Sequence, residues 1–258
     1  MTAPRLNFIA QGQGPTLVLS HALGCDLSMW DGVVERLQHR YTVLRYDHRG
    51  HGASPELPGP WTMEMLADDA AALIEAQCEG PVHFVGLSMG GMTAQALASR
   101  YPHRVRSIVI ANAASYYEQA AQVMWQGRIQ AVLAQGVPAI VQVAMQRWFT
   151  PGFRNDPASG AQRVSVLQER LERMSASAYA AACGAVAGVD CRASNASIGC
   201  PTLVIAGTLD EATPLAASEA MVAQISGAQL RTIEAAHLSA VERPAEFADL
   251  IDDFIGSL

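Results

Sequence analysis

Short apolar runs of β type alternate along the chain with stretches whose apolar positions recur at helical spacing, a pattern that predicts strands separated by helices. Leu17-Val18-Leu19 is the first clear strand, and the Gly12-Gln13-Gly14-Pro15 turn before it predicts a hairpin with residues 5–10. Residues 41–46 read as the next strand. Over 62–77, Leu66, Ala70, Leu73 and Ile74 fall on one face of a helix that Thr62 can cap. A short buried strand at 82–85 runs into a helix rich in small residues at 89–101. Further strands are expected at 105–111, 203–206 and 229–233, a helix start at Thr213-Pro214, and a last helix at 244–255.

Strands separated by helices imply an α/β fold, with a mostly parallel sheet and right-handed crossovers. The alternation stops between 115 and 195, where helical patterns run without a strand and Pro138, Pro151 and Pro157 punctuate them. The expected organisation is a core of 1–114 and 196–258, with 115–195 as a helical cap over the sheet's C-terminal edge. Ligands bind at that edge in open α/β sheets.

Composition narrows the partners. Half of the 258 residues are apolar and 16% are charged, enough apolar material for a large core. The 17 Lys and Arg against 24 Asp and Glu give a formal charge of -7 without a basic cluster, so neither nucleic acid nor an anionic membrane is an expected partner. An anionic substrate would need a local cation. The five cysteines, Cys25, Cys78, Cys183, Cys191 and Cys200, form no C-x-x-C pair, which favours reduced thiols in a cytoplasmic protein. Residues 1–8 lack the basic-then-apolar order of a signal peptide, and the apolar runs fall short of the roughly 20 residues of a membrane helix. Oligomeric state is left open.

The candidate chemistry centres on Gly86-Leu87-Ser88-Met89-Gly90-Gly91, between a strand and a helix. In G-x-S-x-G the chain must reverse within a few residues, which strains the serine and exposes its hydroxyl, while the helix N-terminus offers free N–H groups to an oxyanion. A serine hydroxyl needs a base. Of seven histidines, His237 lies between the last strand and the last helix, where a loop at the sheet edge would hold it. His48 and His51 sit in the glycine-rich Asp47-His48-Arg49-Gly50-His51-Gly52 without the carboxylates or thiols of a metal site; His39, His83 and His103 read as surface or packing residues. The orienting acid should follow another strand, and Asp210 does, with Glu211 as its rival and Asp190 as a weaker one. The backbone N–H groups of Leu23 and Met89 are the candidate oxyanion donors; His21 beside them can serve packing alone, and Cys25 reads as an inert thiol. No metal or cofactor is implied.

Taken together, these motifs resemble the α/β-hydrolase superfamily and, within it, the 3-oxoadipate enol-lactonases. Leu44-Arg45-Tyr46-Asp47 with Arg49-Gly50-His51-Gly52, the serine elbow, and His237-Leu238-Ser239 with Val241-Glu242 are similar to that family's segments. So are Trp125 with Arg128-Ile129, Arg147-Trp148-Phe149-Thr150, and Tyr179 to Cys183 followed by Asp190 and Arg192, in the part of the chain that varies most between α/β-hydrolases. His21-Ala22 stands where the family often has Asn-Ser, His48 where it has Thr, and Ala182-Cys183 where it has a Cys pair. The resemblance implies opening of a small enol-lactone through an acyl-enzyme on Ser88, in aromatic-compound breakdown. It implies a substrate carboxylate that Arg147 or Arg128 would pair with, unless these form surface salt bridges, and a pocket walled by Trp125 and Trp148. A broad esterase or perhydrolase, and a non-catalytic binding protein on the same fold, are the alternatives.

Overall fold

The structure, a computed structural model, describes residues 5–258. Residues 1–4, which open the expected core and the segment read for a signal peptide, lie outside the described residues.

Seven strands form one sheet: β1 (Phe8–Gly12), β2 (Thr16–Ser20), β3 (Thr42–Tyr46), β4 (Val82–Leu87), β5 (Val105–Ala111), β6 (Thr202–Gly207) and β7 (Gln229–Ile233), in the order β1-β3-β2-β4-β5-β6-β7. All neighbours pair in parallel except β1 with β3. The central strands β4 and β6 are buried along their whole length, as expected where helices cover both faces of a parallel sheet.

The hairpin expected between residues 5–10 and β2 does not form. β1 pairs instead with β3, Phe8 opposite Tyr46 and Gly12 opposite Thr42, while β2 lies on the other side of β3. Leu17, Val18 and Leu19 are wholly buried, so β2 needs an apolar strand on each side; β1, exposed at Ile9, Ala10 and Gly12, suits the sheet's edge. The 13–15 turn crosses the start of β3, where Thr42 donates its N–H to Pro15 O and its hydroxyl to Gly14 O, both at 3.1 Å.

The helices are α1 (Asp31–Leu37), α2 (Met63–Gln77), α3 (Met89–Arg100), α4 (Gln119–Gln135), α5 (Pro138–Trp148), α6 (Pro151–Asn155), α7 (Gly160–Glu172), α8 (Ala176–Ala187), α9 (Arg192–Asn195), α10 (Leu215–Gln224), α11 (Ser239–Glu242) and α12 (Pro244–Gly256). Thr62 caps α2 by accepting the Met65 N–H, and Leu66, Ala70, Leu73 and Ile74 are its buried face. Full burial of each leucine or isoleucine side chain contributes about 1.5–3 kcal/mol, so the three large ones together outweigh the cap, which contributes about 1 kcal/mol. Helices α4 to α9 all lie between the adjacent strands β5 and β6. The excursion closes on itself where it leaves and returns: Tyr116 bridges Asp190, and Cys191 donates its N–H to Ser115 O at 2.7 Å. None of the described helices is long and apolar enough to cross a membrane.

Candidate active site

Strand β4 ends at Leu87 and α3 begins at Met89, so Ser88 alone makes the reversal, at φ 56° and ψ -114°. A non-glycine residue costs about 1–2 kcal/mol in such a conformation. The turn holds because backbone packs on backbone around it. A Cβ on Gly86 would stand 2.0 Å from Gly90 O, and one on Gly90 would stand 2.0 Å from Ser20 O. Ser88 N–H donates to Ala111 O and its carbonyl accepts Met92 N–H, both at 2.9 Å.

Facing Ser88 is His237, between β7 and α11. Its Nε2 lies 2.9 Å from Ser88 Oγ and its Nδ1 2.9 Å from Asp210 Oδ2, with His237 5% and Asp210 6% exposed. Asp210 lies three residues past the end of β6. Its Oδ1 accepts the N–H groups of Ala212 and Thr213, at 2.7 and 3.0 Å, and its Oδ2 accepts the Thr213 hydroxyl at 2.6 Å and Asn112 Nδ2 at 3.0 Å. Burial by itself would push the carboxyl up. Electrostatic attraction to the His237 ring and the hydrogen bonds from His237, Thr213 and Asn112 outweigh it and hold Asp210 below the usual carboxylate range. Asp210 therefore stays anionic and able to stabilise an imidazolium. The rivals stand elsewhere: Glu211 is exposed, and Asp190 forms an exposed ion pair with Arg192.

Two of these partners carry no motif in the sequence. Asn112, at φ 45°, ends β5 and links Asp210 to the histidine loop by accepting the Ser239 hydroxyl at 2.6 Å. A lone asparagine closing an apolar strand was its one local signal, since asparagine tolerates the left-handed region. The Thr213-Pro214 pair predicts a helix cap at Thr213. Instead α10 starts at Leu215 with Pro214 as its N-cap, and the Thr213 hydroxyl turns to Asp210.

The oxyanion candidates lie beside the serine. Among the described residues, no hydrogen bond engages the Leu23 or Met89 N–H. The loop carrying Leu23 rests on three buried histidines with their own hydrogen-bond pattern. His48 N–H donates to His21 Nε2 at 2.9 Å, so the His21 proton sits on Nδ1, which donates to Ala22 O at 2.8 Å. Gly24 N–H donates to His51 Nε2 at 3.2 Å, and His51 Nδ1–H donates to Arg49 O at 3.0 Å. His21 thus does more than fill space. Among the described residues, no group of three or more His, Cys, Asp or Glu is placed to hold a metal ion. Burial pushes Cys25 well up, away from the reactive thiolate.

Burial also pushes all three histidines below the ordinary imidazole value, His51 to about 3, with His21 adding to the shift in His51. In the unfolded chain each takes a proton below about pH 6.5, whereas the folded His51 refuses one until about pH 3. Stability is therefore full above pH 6.5 and falls as the pH drops below it, by about 1.4 kcal/mol per pH unit for each histidine that stays neutral. The urea midpoint should fall between pH 7 and pH 4.5, with a shallower slope in His51→Gln. A midpoint that does not move over that range would contradict this.

Above Ser88 and His237 opens a cavity of about 570 Å³, walled by Leu23, Trp125, Ile140, Ala144, Trp148 and Tyr179 among others. Met124 and Val143 line it and remain 65% and 55% exposed, giving it an apolar rim. Both candidate arginines line the cavity, and neither forms an ion pair among the described residues. Arg147 donates to Glu211 O at 3.2 Å. Arg128 lies over the rings of Trp125 and Tyr179, 5.4 and 5.8 Å from their centroids.

The sequence pattern of a family described as alpha/beta hydrolase fold matches residues 15–244. The chain is 39% identical over 249 residues to 3-oxoadipate enol-lactonase 2 of Acinetobacter baylyi, covering 96% of this chain and 91% of that one. It is 36% identical over 246 residues to 3-oxoadipate enol-lactonase 1 of the same organism, covering 95% and 90%. The crystal structure of the enol-lactonase from Burkholderia xenovorans LB400 superposes with a TM-score of 0.93 at 32% identity, covering 99% of both chains. Sheet order, elbow and full-length similarity agree, and the chain belongs to the alpha/beta hydrolase fold family.

Proposed function

We propose that the protein is a serine hydrolase that opens 3-oxoadipate enol-lactone to 3-oxoadipate in the breakdown of aromatic compounds. In this reading residues 115–195 are a cap over a core of 1–114 and 196–258, and the cavity between them binds the lactone. Ser88 Oγ attacks the lactone carbonyl while His237 Nε2 takes its proton and Asp210 stabilises the imidazolium. The carbonyl oxygen, now an oxyanion, accepts the N–H groups of Leu23 and Met89. When the tetrahedral intermediate collapses, the ring C–O bond breaks and the leaving enolate takes the proton held on His237 Nε2, which gives the ketone and returns His237 to the neutral form. His237 then activates a water that cleaves the acyl-enzyme and regenerates Ser88. The five free thiols support a cytoplasmic setting.

The observation that carries the choice of substrate is Arg128. The lactone bears a free carboxylate, and burying it alone in an apolar cavity would cost several kcal/mol. Arg128 lines that cavity over the rings of Trp125 and Tyr179 and forms no ion pair among the described residues, whereas Arg147 already donates to a carbonyl. Arg128→Met is expected to raise KM for the lactone by about 10- to 100-fold, the loss of one charge-assisted contact. KM for a neutral aryl acetate should stay close to wild type. Equal effects on both substrates, or none on either, would favour the broad esterase. An intact triad that does not react with a fluorophosphonate would favour the binding protein.

A further inference from the structure

Glu242 has no part in the chemistry above, yet its carboxylate is buried, 9% exposed, between two segments that reach the cavity. Its Oε2 accepts the Ala236 N–H at 2.6 Å, one residue before His237. Its Oε1 accepts the Thr150 N–H at 2.9 Å and the Thr150 hydroxyl at 2.5 Å. Thr150 follows α5, whose last residue, Trp148, lines the cavity. A further bond joins the same two segments, Leu238 N–H to Trp148 O at 3.0 Å. The residues on either side of His237 are therefore tied to the end of α5, one through the Glu242 carboxylate and one directly.

The chemistry of this bridge is specific. Among the described residues, no Arg pairs with Glu242, and three donors meet its two oxygens. Both oxygens face donors, two backbone N–H groups that cannot reverse and one hydroxyl. A glutamine fills the same volume but must point its NH2 at one of those N–H groups, so it breaks one side of the bridge whichever way it turns. An aspartate is one methylene too short to span both sides.

We propose that Glu242 is a positioning residue that holds the His237 loop and the Trp148 wall in one register, so that alignment of the base and fit of the substrate depend on a single carboxylate. The proposal rests on reading His237 as the base, and it is independent of which ester or lactone is the substrate. A misplacement of about 1 Å at a reacting group costs up to about 100-fold in rate, so a bridge of this kind has a kinetic signature.

The test counts reactive serines with a fluorophosphonate, then measures kcat and KM for an aryl acetate per titrated site, with Tm recorded beside them. Glu242→Gln is expected to lower kcat per site by about tenfold or more and to raise KM together with it. Thr150→Val keeps the Glu242–Ala236 bond and loses one bond to the α5 side, so KM should rise with a smaller change in kcat. Thr150→Ser, which retains the hydroxyl and its cap on the Phe153 N–H, should restore the wild-type KM. A residue that only stabilises the fold would lower Tm and the number of titratable sites and leave kcat and KM per site unchanged; that result overturns the proposal. If Glu242→Gln does not fold, the threonine pair decides, and a Thr150→Val enzyme with wild-type KM overturns it equally. A wild-type enzyme that turns over without titrating at Ser88 overturns the serine hydrolase reading and this proposal with it, which separates the two failures.

Discussion

Ser88→Ala is expected to lower turnover of every ester or lactone substrate by about a millionfold, the scale on which a nucleophile is lost when base and oxyanion donors remain. The expectation follows from the geometry of one atom. Oγ is the only group of Ser88 that meets His237, at 2.9 Å, while the main chain of Ser88 is held by Ala111 and Met92. Alanine keeps that main chain, so the fold and the cavity should survive and a substrate should still bind. The check is a pre-steady-state experiment on wild type and variant, with circular dichroism to establish that both are folded. With an aryl acetate, whose phenol leaves on acylation, wild type should release one equivalent of phenol in a burst and the variant none. A variant that retains a tenth of the activity would mean that the acyl group is carried elsewhere.

Asp210→Asn should cost about 10⁴-fold in kcat, and the hydrogen bonds around the carboxylate give the reason. Oδ2 accepts from His237 Nδ1, Thr213 Oγ1 and Asn112 Nδ2, and Oδ1 accepts from two backbone N–H groups. An amide has one oxygen to offer. If it faces His237, the new NH2 meets the N–H groups of Ala212 and Thr213, two donors that cannot turn away. If it flips, the NH2 faces His237 Nδ1, which must then accept, and the imidazole proton moves to Nε2. That nitrogen then faces Ser88 with a hydrogen already on it, and the base is lost. Either orientation also removes the anion that stabilises the imidazolium. The signature is a large fall in kcat with KM little changed, partly recovered at alkaline pH where hydroxide can act as base. A fall of less than about tenfold would show that another carboxylate orients His237.

The parts of this molecule that were legible in its sequence are those written locally. The elbow could be read because glycine is forced at two positions by backbone contacts a few residues away, and because a strand and a helix flank it visibly. The end of β5 could be read because the apolar run from Ile108 to Ala111 stops at Asn112. The partner of β1 could not be read from the turn that follows it. Pairing was decided by β2, which is buried on both faces and takes apolar strands as both neighbours, pushing the more polar β1 beyond β3 to the edge. Asp210 and Glu211 are adjacent acids at one strand end, and only the direction of the chain after β6 separates a buried carboxylate from an exposed one. Asn112 reaches the same oxygen as Thr213 from 98 residues away, and no spacing rule announces a contact made between neighbouring strand ends. The choice between Arg128 and Arg147 rests on what each already touches, which is a property of packing.

Whether Ser88 opens an enol-lactone is tested by following the ultraviolet loss of 3-oxoadipate enol-lactone with purified wild type and Ser88→Ala, beside a simple aryl acetate. The expected result is lactone turnover much faster than acetate cleavage, with both abolished in the variant. Fast acetate cleavage with the lactone lost only at its background rate would contradict the assignment of substrate, and lactone turnover that survives Ser88→Ala would contradict the mechanism itself.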